Sequence, residues 1–164
     1  MTRKPEEKTA AKKIAKIIRE RVLGGGLVPL SAIKDLKSKK KKATVLIVED
    51  DESVQRALLR ILALDGHNII SASDGSELSQ LLEKNSVDLI MLDVGLPWID
   101  GFELAEIMQA DLELKKIPIV FISGQNDISS IKKGFGVGAH DFIKKPFEVE
   151  KIRKTVNTLL ELSS

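Results

Sequence analysis

The sequence predicts an α/β domain, a doubly wound five-stranded parallel sheet with five helices, preceded by a basic helical extension. Three observations carry this expectation. From residue 44 onward, short apolar runs rich in β-branched residues alternate with segments of helical spacing. The runs are continuously apolar rather than in–out alternating, as a sheet covered on both faces requires. Charge also divides the chain: residues 1–42 hold 14 basic and 4 acidic side chains, a net of +10, whereas 43–164 carry a net of −8. The overall +2 is a cancellation between these unlike parts.

The elements follow in order. In the arm, 1–42, Pro5-Glu6-Glu7 suits a helix start, and Ile14, Ile17, Ile18 and Val22 form an apolar stripe over a helix at about 6–23. Gly24-Gly25-Gly26 ends it, a second short helix fits from Ser31 to about Lys39, and Lys39 to Lys42 form a self-repelling solvated block. The domain, 43–164, opens with a strand at 44–48 (TVLIV). A helix at 54–65, capped by Asp51 or Ser53, turns Val54, Leu58, Ile61 and Leu62 to one face. A weaker strand at 68–72 (NIISA) precedes a helix at 75–84, capped by Asp74, with Leu78, Leu81 and Leu82 inward. A strand at 87–92 (VDLIML) leads to a helix with Leu104, Ile107 and Met108 on the core face. A strand at 117–122 (IPIVFI) is followed by a helix at 128–136, weakened by Gly134 and Gly136. The strand at 139–143 (AHDFI) and a helix carrying Ile152, Val156, Leu159 and Leu160 complete the set.

Composition narrows the chemistry. Zero cysteines exclude a disulfide framework, a thiol nucleophile and a thiolate metal site. Two histidines, His67 and His140, are too few for a His-rich metal centre, so any metal must take oxygen ligands. No apolar run approaches the roughly 20 residues of a membrane span, and the charged N-terminus has no signal-peptide core. A soluble, cytoplasmic protein is expected.

In open α/β sheets, ligands bind beyond the carboxyl ends of the strands. Glu49, Asp50 and Asp51 follow the first strand here, Asp93 the third, Ser123 the fourth, and Lys144, Lys145 and Pro146 the fifth. Clustered carboxylates repel unless a cation joins them, and without thiolate or imidazole ligands a hard ion, Mg²⁺, is the natural candidate, with Mn²⁺ as a substitute. A carboxylate can act as nucleophile toward a phosphoryl group, while an ammonium and a hydroxyl stabilise its oxygens. The set reads as phosphoryl transfer to an aspartate.

The motifs VLIVEDDES, LIMLDVGLPWIDG, FISGQND and DFIKKPF, in that order, resemble the CheY-like receiver domain of two-component response regulators. Their spacings agree: 43 residues from Asp50 to Asp93, 30 more to Ser123 and 22 more to Lys145. The resemblance covers about 43–162 and implies a flavodoxin-like sheet of order 2-1-3-4-5. It implies that Asp93 is the phospho-acceptor and Asp50 the direct Mg²⁺ ligand. Glu49 would act through water and the Gly95 backbone carbonyl would complete the protein ligands. Ser123 and Lys145 would hold the phosphoryl group, and Lys145–Pro146 would be a cis bond. Phe142 would be the aromatic switch residue alongside Ser123. Gly95 and Gln125 occupy the positions that tune dephosphorylation in this family. A one-residue shift would make the acidic pair Asp50 and Asp51.

Plainer readings stand beside these. Asp50 and Asp51 can be helix caps, Ser123 a turn residue, Phe142 core, Lys144 a solvated neighbour, and Trp98 a loop or interface residue. The implied function is a phospho-acceptor response regulator in a phosphorelay. It would be a switch that assists its own phosphorylation and dephosphorylation, not a turnover enzyme. A histidine kinase or histidine phosphotransfer protein would be the donor. The signal would leave by protein contact through the fourth helix, fifth strand and fifth helix, by onward phosphotransfer, or through the arm, no output domain being expected after the fifth helix. One alternative is a nucleic-acid-binding transcription regulator acting through residues 1–42, although that arm has no aromatic residue for stacking. The other is a haloacid-dehalogenase-type phosphatase, disfavoured because Gly95 stands where that chemistry needs a second Asp.

Overall fold

The computed structural model describes residues 42–125 and 127–163. The arm helix expected at 6–23, the glycine break and the second helix lie outside the described residues. The five apolar runs form β1 (Thr44–Val48), β2 (Asn68–Ala72), β3 (Leu89–Asp93), β4 (Ile119–Ser123) and β5 (Asp141–Lys144). Between and after them come α1 (Glu52–Ala63), α2 (Gly75–Lys84), α3 (Gly101–Ala110), α4 (Ile128–Gly136) and α5 (Val149–Ser163), with a short 3-10 turn at Leu114–Lys116. All neighbouring strands are parallel, in the order β2-β1-β3-β4-β5. This is the flavodoxin-like order that the motifs imply.

Alternation along the strands sorts the core into two layers. Leu46, Val48, Ile90, Leu92, Phe121 and Phe142 face one way, against Leu78 of α2 and Phe102, Leu104, Ala105 and Met108 of α3. Val45, Ile47, Leu89, Met91, Val120, Ile122 and Ile143 face the other, against Leu58, Ile61 and Leu62 of α1 and Ile152 and Val156 of α5. Because both faces are covered, β1, β3 and β4 are apolar almost throughout. Edge strand β2 is only half-buried, which accounts for its weaker apolar signal.

Several boundaries differ from expectation. The third, fourth and fifth strands begin two residues later than the apolar runs suggest and extend one residue further. Pro118 has no N–H to give a ladder, although its carbonyl accepts from Ile90 N–H at 3.0 Å. At the other end, Asp93 pairs in register with Ile122, and Ser123 with Lys144. These polar residues therefore sit on the last rung of the sheet rather than in the loops beyond it. Helix α1 starts at Glu52 because the Asp51 carboxylate accepts from the N–H groups of Ser53 and Val54, at 2.9 and 3.3 Å. It ends at Ala63 in a tightened turn in which the N–H groups of Leu64, Asp65 and Gly66 each bond three residues back. Gly66 then takes a left-handed φ of 78°. Asp74 caps α2, as expected, through Glu77 N–H at 2.9 Å.

One core assignment changes, and one weak helix gains a packing reason. Ile107 is 53% exposed, because α3 turns Leu104, Ala105 and Met108 to the sheet, and Phe102 fills the flank by stacking edge-on to Phe121 at 5.1 Å. The glycines that weaken α4 in sequence have a packing reason at Gly134. A Cβ there would meet the Phe142 ring at 3.0 Å and that of Phe121 at 3.2 Å. The helix approaches the sheet closely because this position has no side chain.

Candidate functional site

The strand order reverses between β1 and β3, where neighbouring connections leave on opposite faces and open a crevice at the carboxyl edge. Glu49 and Asp50 leave β1 at this crevice, and Asp93 ends β3. Their carboxylates converge, with one oxygen from each lying within 4.8 Å of the others. Glu49 and Asp93 are 2% and 7% exposed, whereas Asp50 is open to solvent. Lys145, just beyond β5, reaches across to Glu49 Oε2 at 2.8 Å and Asp93 Oδ1 at 3.5 Å. Three carboxylates thus face one ammonium.

Local hydrogen bonds fix these groups. Glu49 Oε1 accepts from Asp51 N–H at 3.1 Å, and Asp93 Oδ1 accepts from Gly95 N–H at 3.3 Å. Ser123, buried at 2% exposure, accepts from Gln125 N–H at its hydroxyl (2.9 Å) and from Lys145 N–H at its carbonyl (2.9 Å). The Lys145–Pro146 peptide is cis. Gly101 is needed for close approach: a Cβ there would fall 2.4 Å from the Asp93 carbonyl oxygen, while its own N–H bonds the Val94 carbonyl at 2.9 Å. The start of α3 is thereby held against the end of β3.

The electrostatics follow from this geometry. Burial raises the Glu49 pKa, and the hydrogen bonds from Lys145 and Asp51 N–H only partly offset it. For Lys145, burial opposes the ammonium, but the hydrogen bond to Glu49 and the charges of Asp93 and Glu49 outweigh it and raise the pKa. Among the described residues, three converging carboxylates thus lie beside a single ammonium. A hard divalent cation with oxygen ligands fits that donor set.

The structure brings together Glu49, Asp50, Asp93 and Lys145 at the carboxyl edge. Asp51 is turned away from that cluster, capping α1 and bonding Ser53 Oγ at 2.6 Å. Phe142 lies in the layer beneath, its ring 6.0 Å from that of Phe121 and only 7% exposed. Lys144 is exposed. Trp98 packs against Gly75 at the start of α2. His67 and His140 serve locally, through Asn157 Oδ1 at 2.8 Å and Ile119 N–H at 3.4 Å. Sequence reasoning missed Gln55, whose side-chain amide donates to the Glu49 carbonyl and, at 3.2 Å, to Ser73 Oγ. No motif marks that residue, because its partners lie on two different loops.

Residues 45–157 match the family model of the response regulator receiver domain. The chain belongs to the response regulator receiver family. Over 120 residues it is 31% identical to the response regulator MprA of Mycobacterium sp. (strain KMS), covering 73% of this chain and 51% of that one. It is 32% identical over 130 residues to a protein named histidine kinase P4 from Formosa agariphila, covering 79% of this chain and 9% of that protein. The receiver domain thus spans about half the length of MprA and under a tenth of the kinase. The chemotaxis response regulator CheY4 of Vibrio cholerae superposes with a TM-score of 0.67 at 28% identity, covering 73% of this chain and 99% of that one. Among the described residues, no helix is long and apolar enough to cross a membrane.

Proposed function

We propose that the receiver domain, residues 43–164, takes a phosphoryl group onto Asp93 and signals by the resulting change of conformation. The observation that carries this reading is the position of Asp93. It is a buried carboxylate on the last rung of β3, beside two further carboxylates, with one ammonium 3.5 Å from Oδ1. The contacts with Lys145 and Gly95 both fall on Oδ1, so Oδ2 is the oxygen proposed to attack. An Asp93 oxygen bonds to phosphorus as the P–N bond of a donor phosphohistidine breaks. The imidazole leaves with the bonding electrons and is protonated. Lys145 and the Ser123 hydroxyl are the groups proposed to meet the phosphoryl oxygens.

Glu49, Asp50, Asp93 and the Gly95 carbonyl are the proposed holders of Mg²⁺, or Mn²⁺ in its place. When bound, such an ion supplies charge neutralisation and polarises phosphoryl oxygens. Capping by Asp51 favours Glu49 and Asp50 as the acidic pair. After transfer the dianion draws on Ser123 and Lys145. Because Lys145 N–H bonds the Ser123 carbonyl and Phe142 sits three residues before Lys145, the shift is passed to the face formed by β4, α4, β5 and α5. A histidine kinase or histidine phosphotransfer protein is the proposed donor, and a protein target on that face the proposed receiver of the signal. The domain is a switch rather than a turnover enzyme, acting in the cytoplasm, with residues 1–42 as a separate basic arm.

Incubation with a small acyl phosphate and Mg²⁺, followed by intact mass, tests this. Wild type gains one phosphoryl group, and neither Asp93→Asn nor wild type with excess chelator does. Equal labelling of wild type and Asp93→Asn would sink the assignment.

A further inference from the structure

We infer that Gln55 is a positioning residue for the metal-binding pair. This rests on the proposed assignment of Glu49 and Asp50. Glu49 is held at four points. Its N–H donates to the Ala72 carbonyl at 3.2 Å, and its two carboxylate oxygens accept from Asp51 N–H and Lys145 Nζ. The fourth point is its main-chain carbonyl, which accepts from Gln55 Nε2. That carbonyl lies in the peptide plane joining Glu49 to Asp50. Fixing it fixes the direction in which Asp50 leaves β1, and Asp50 is the exposed member of the carboxylate cluster.

The amide of Gln55 suits this task because it offers two N–H groups in a planar fork. One goes to Glu49 and the other to Ser73 Oγ, in the loop between β2 and α2. Ser73 is itself anchored, its N–H donating to Glu77 Oε2 at 2.8 Å. Gln55 therefore ties the loop carrying the acidic pair to a neighbouring loop secured on the first turn of α2. Its side-chain hydrogen bonds go to a backbone carbonyl and a hydroxyl rather than to the carboxylates. Outer-shell groups of this kind change metal affinity by roughly 10- to 100-fold when removed.

The test is Mn²⁺ binding to the full chain, read from the free-ion signal in electron paramagnetic resonance. Four variants are compared with wild type: Gln55→Met, Ser73→Ala, the double variant and Asp50→Asn. Gln55→Met keeps the length of the side chain and removes the donor, and is expected to weaken Mn²⁺ binding about 10-fold. Ser73→Ala removes only the second anchor and is expected to cost about 2- to 3-fold. The double variant should match Gln55→Met, because both changes cut the same bridge. A merely structural role would lower metal-free thermal stability and leave the affinity of the folded protein unchanged. If Asp50→Asn binds weakly while Gln55→Met stays within about twofold of wild type, the positioning role is overturned. If Gln55→Met is unfolded, an unchanged affinity in Ser73→Ala overturns it. If Asp50→Asn binds as wild type does, the ligand assignment fails and this inference falls with it.

Discussion

Two polar clusters in this domain handle charge in opposite ways. Where α1 gives way to β2, Asp65 accepts two bonds from Arg153 of α5, at 2.8 and 3.1 Å, and a third from Asn157 at 3.0 Å. The Arg153 guanidinium holds the Asp65 carboxyl down to about 2. At the carboxyl edge, three carboxylates share one lysine, and burial pushes Glu49 upward. The first cluster is complete within the chain and pins α1 to α5. The second has acceptors left over. The first arrangement stabilises the fold, whereas the second crowds like charges among the described residues, at a cost in stability that the proposed cation would offset.

The sharpest test of this contrast is added metal. Saturating Mg²⁺ should raise the thermal midpoint of wild type, by about 2.7 kcal/mol of stabilisation at 100 times Kd, and leave that of Asp50→Asn nearly unmoved in differential scanning calorimetry. An equal rise in both would break the contrast. Next in size is Arg153→Leu, which strands Asp65 and should lower the midpoint by several degrees, with or without metal.

The same pair predicts an acid response. Because the Asp65 pKa is depressed on folding, its stabilisation is fully present above its unfolded value near 4 and is lost as pH falls through about 2. Arg153→Leu should therefore show a shallower loss of stability between about pH 4 and 2 than wild type, measured by urea unfolding across that range. A smaller effect of the opposite sign is expected at the site. In metal-free buffer, Asp93→Asn removes one of the three clustered charges and should raise the midpoint by a few degrees. A lower midpoint would mean that Lys145 already balances the cluster.

The two clusters also differ in how far sequence reveals them. The carboxyl-edge residues are legible because each follows an apolar run, so strand patterning alone places Asp93, Ser123 and Lys145 together. The position of Asp93 and Ser123 on the final rung is less visible, since apolar runs do not mark where pairing stops. Asp65, Arg153 and Asn157 give no comparable signal. Arg153 and Asp65 lie 88 residues apart in chain order, and each alone reads as a solvated charge. Ile107 misleads for a related reason: helical spacing narrows a face but does not choose between its flanks, and the pairing of Phe102 with Phe121 decides. Gln55 is silent because its side chain bonds a backbone carbonyl and a hydroxyl on separate loops, and no residue pattern marks such partners.

The bond between Lys145 and Glu49 spans 96 residues of chain. The site with its lysine therefore requires the ends of β1 and β5 to be in place together. Without β5 the carboxylates at the ends of β1 and β3 would lack Lys145, and their mutual repulsion would oppose their convergence. Only when β5 docks as the last strand of the sheet does the lysine arrive. The site is therefore complete only while β5 is paired with β4, and a domain that opens locally at β5 withdraws Lys145 from its carboxylates.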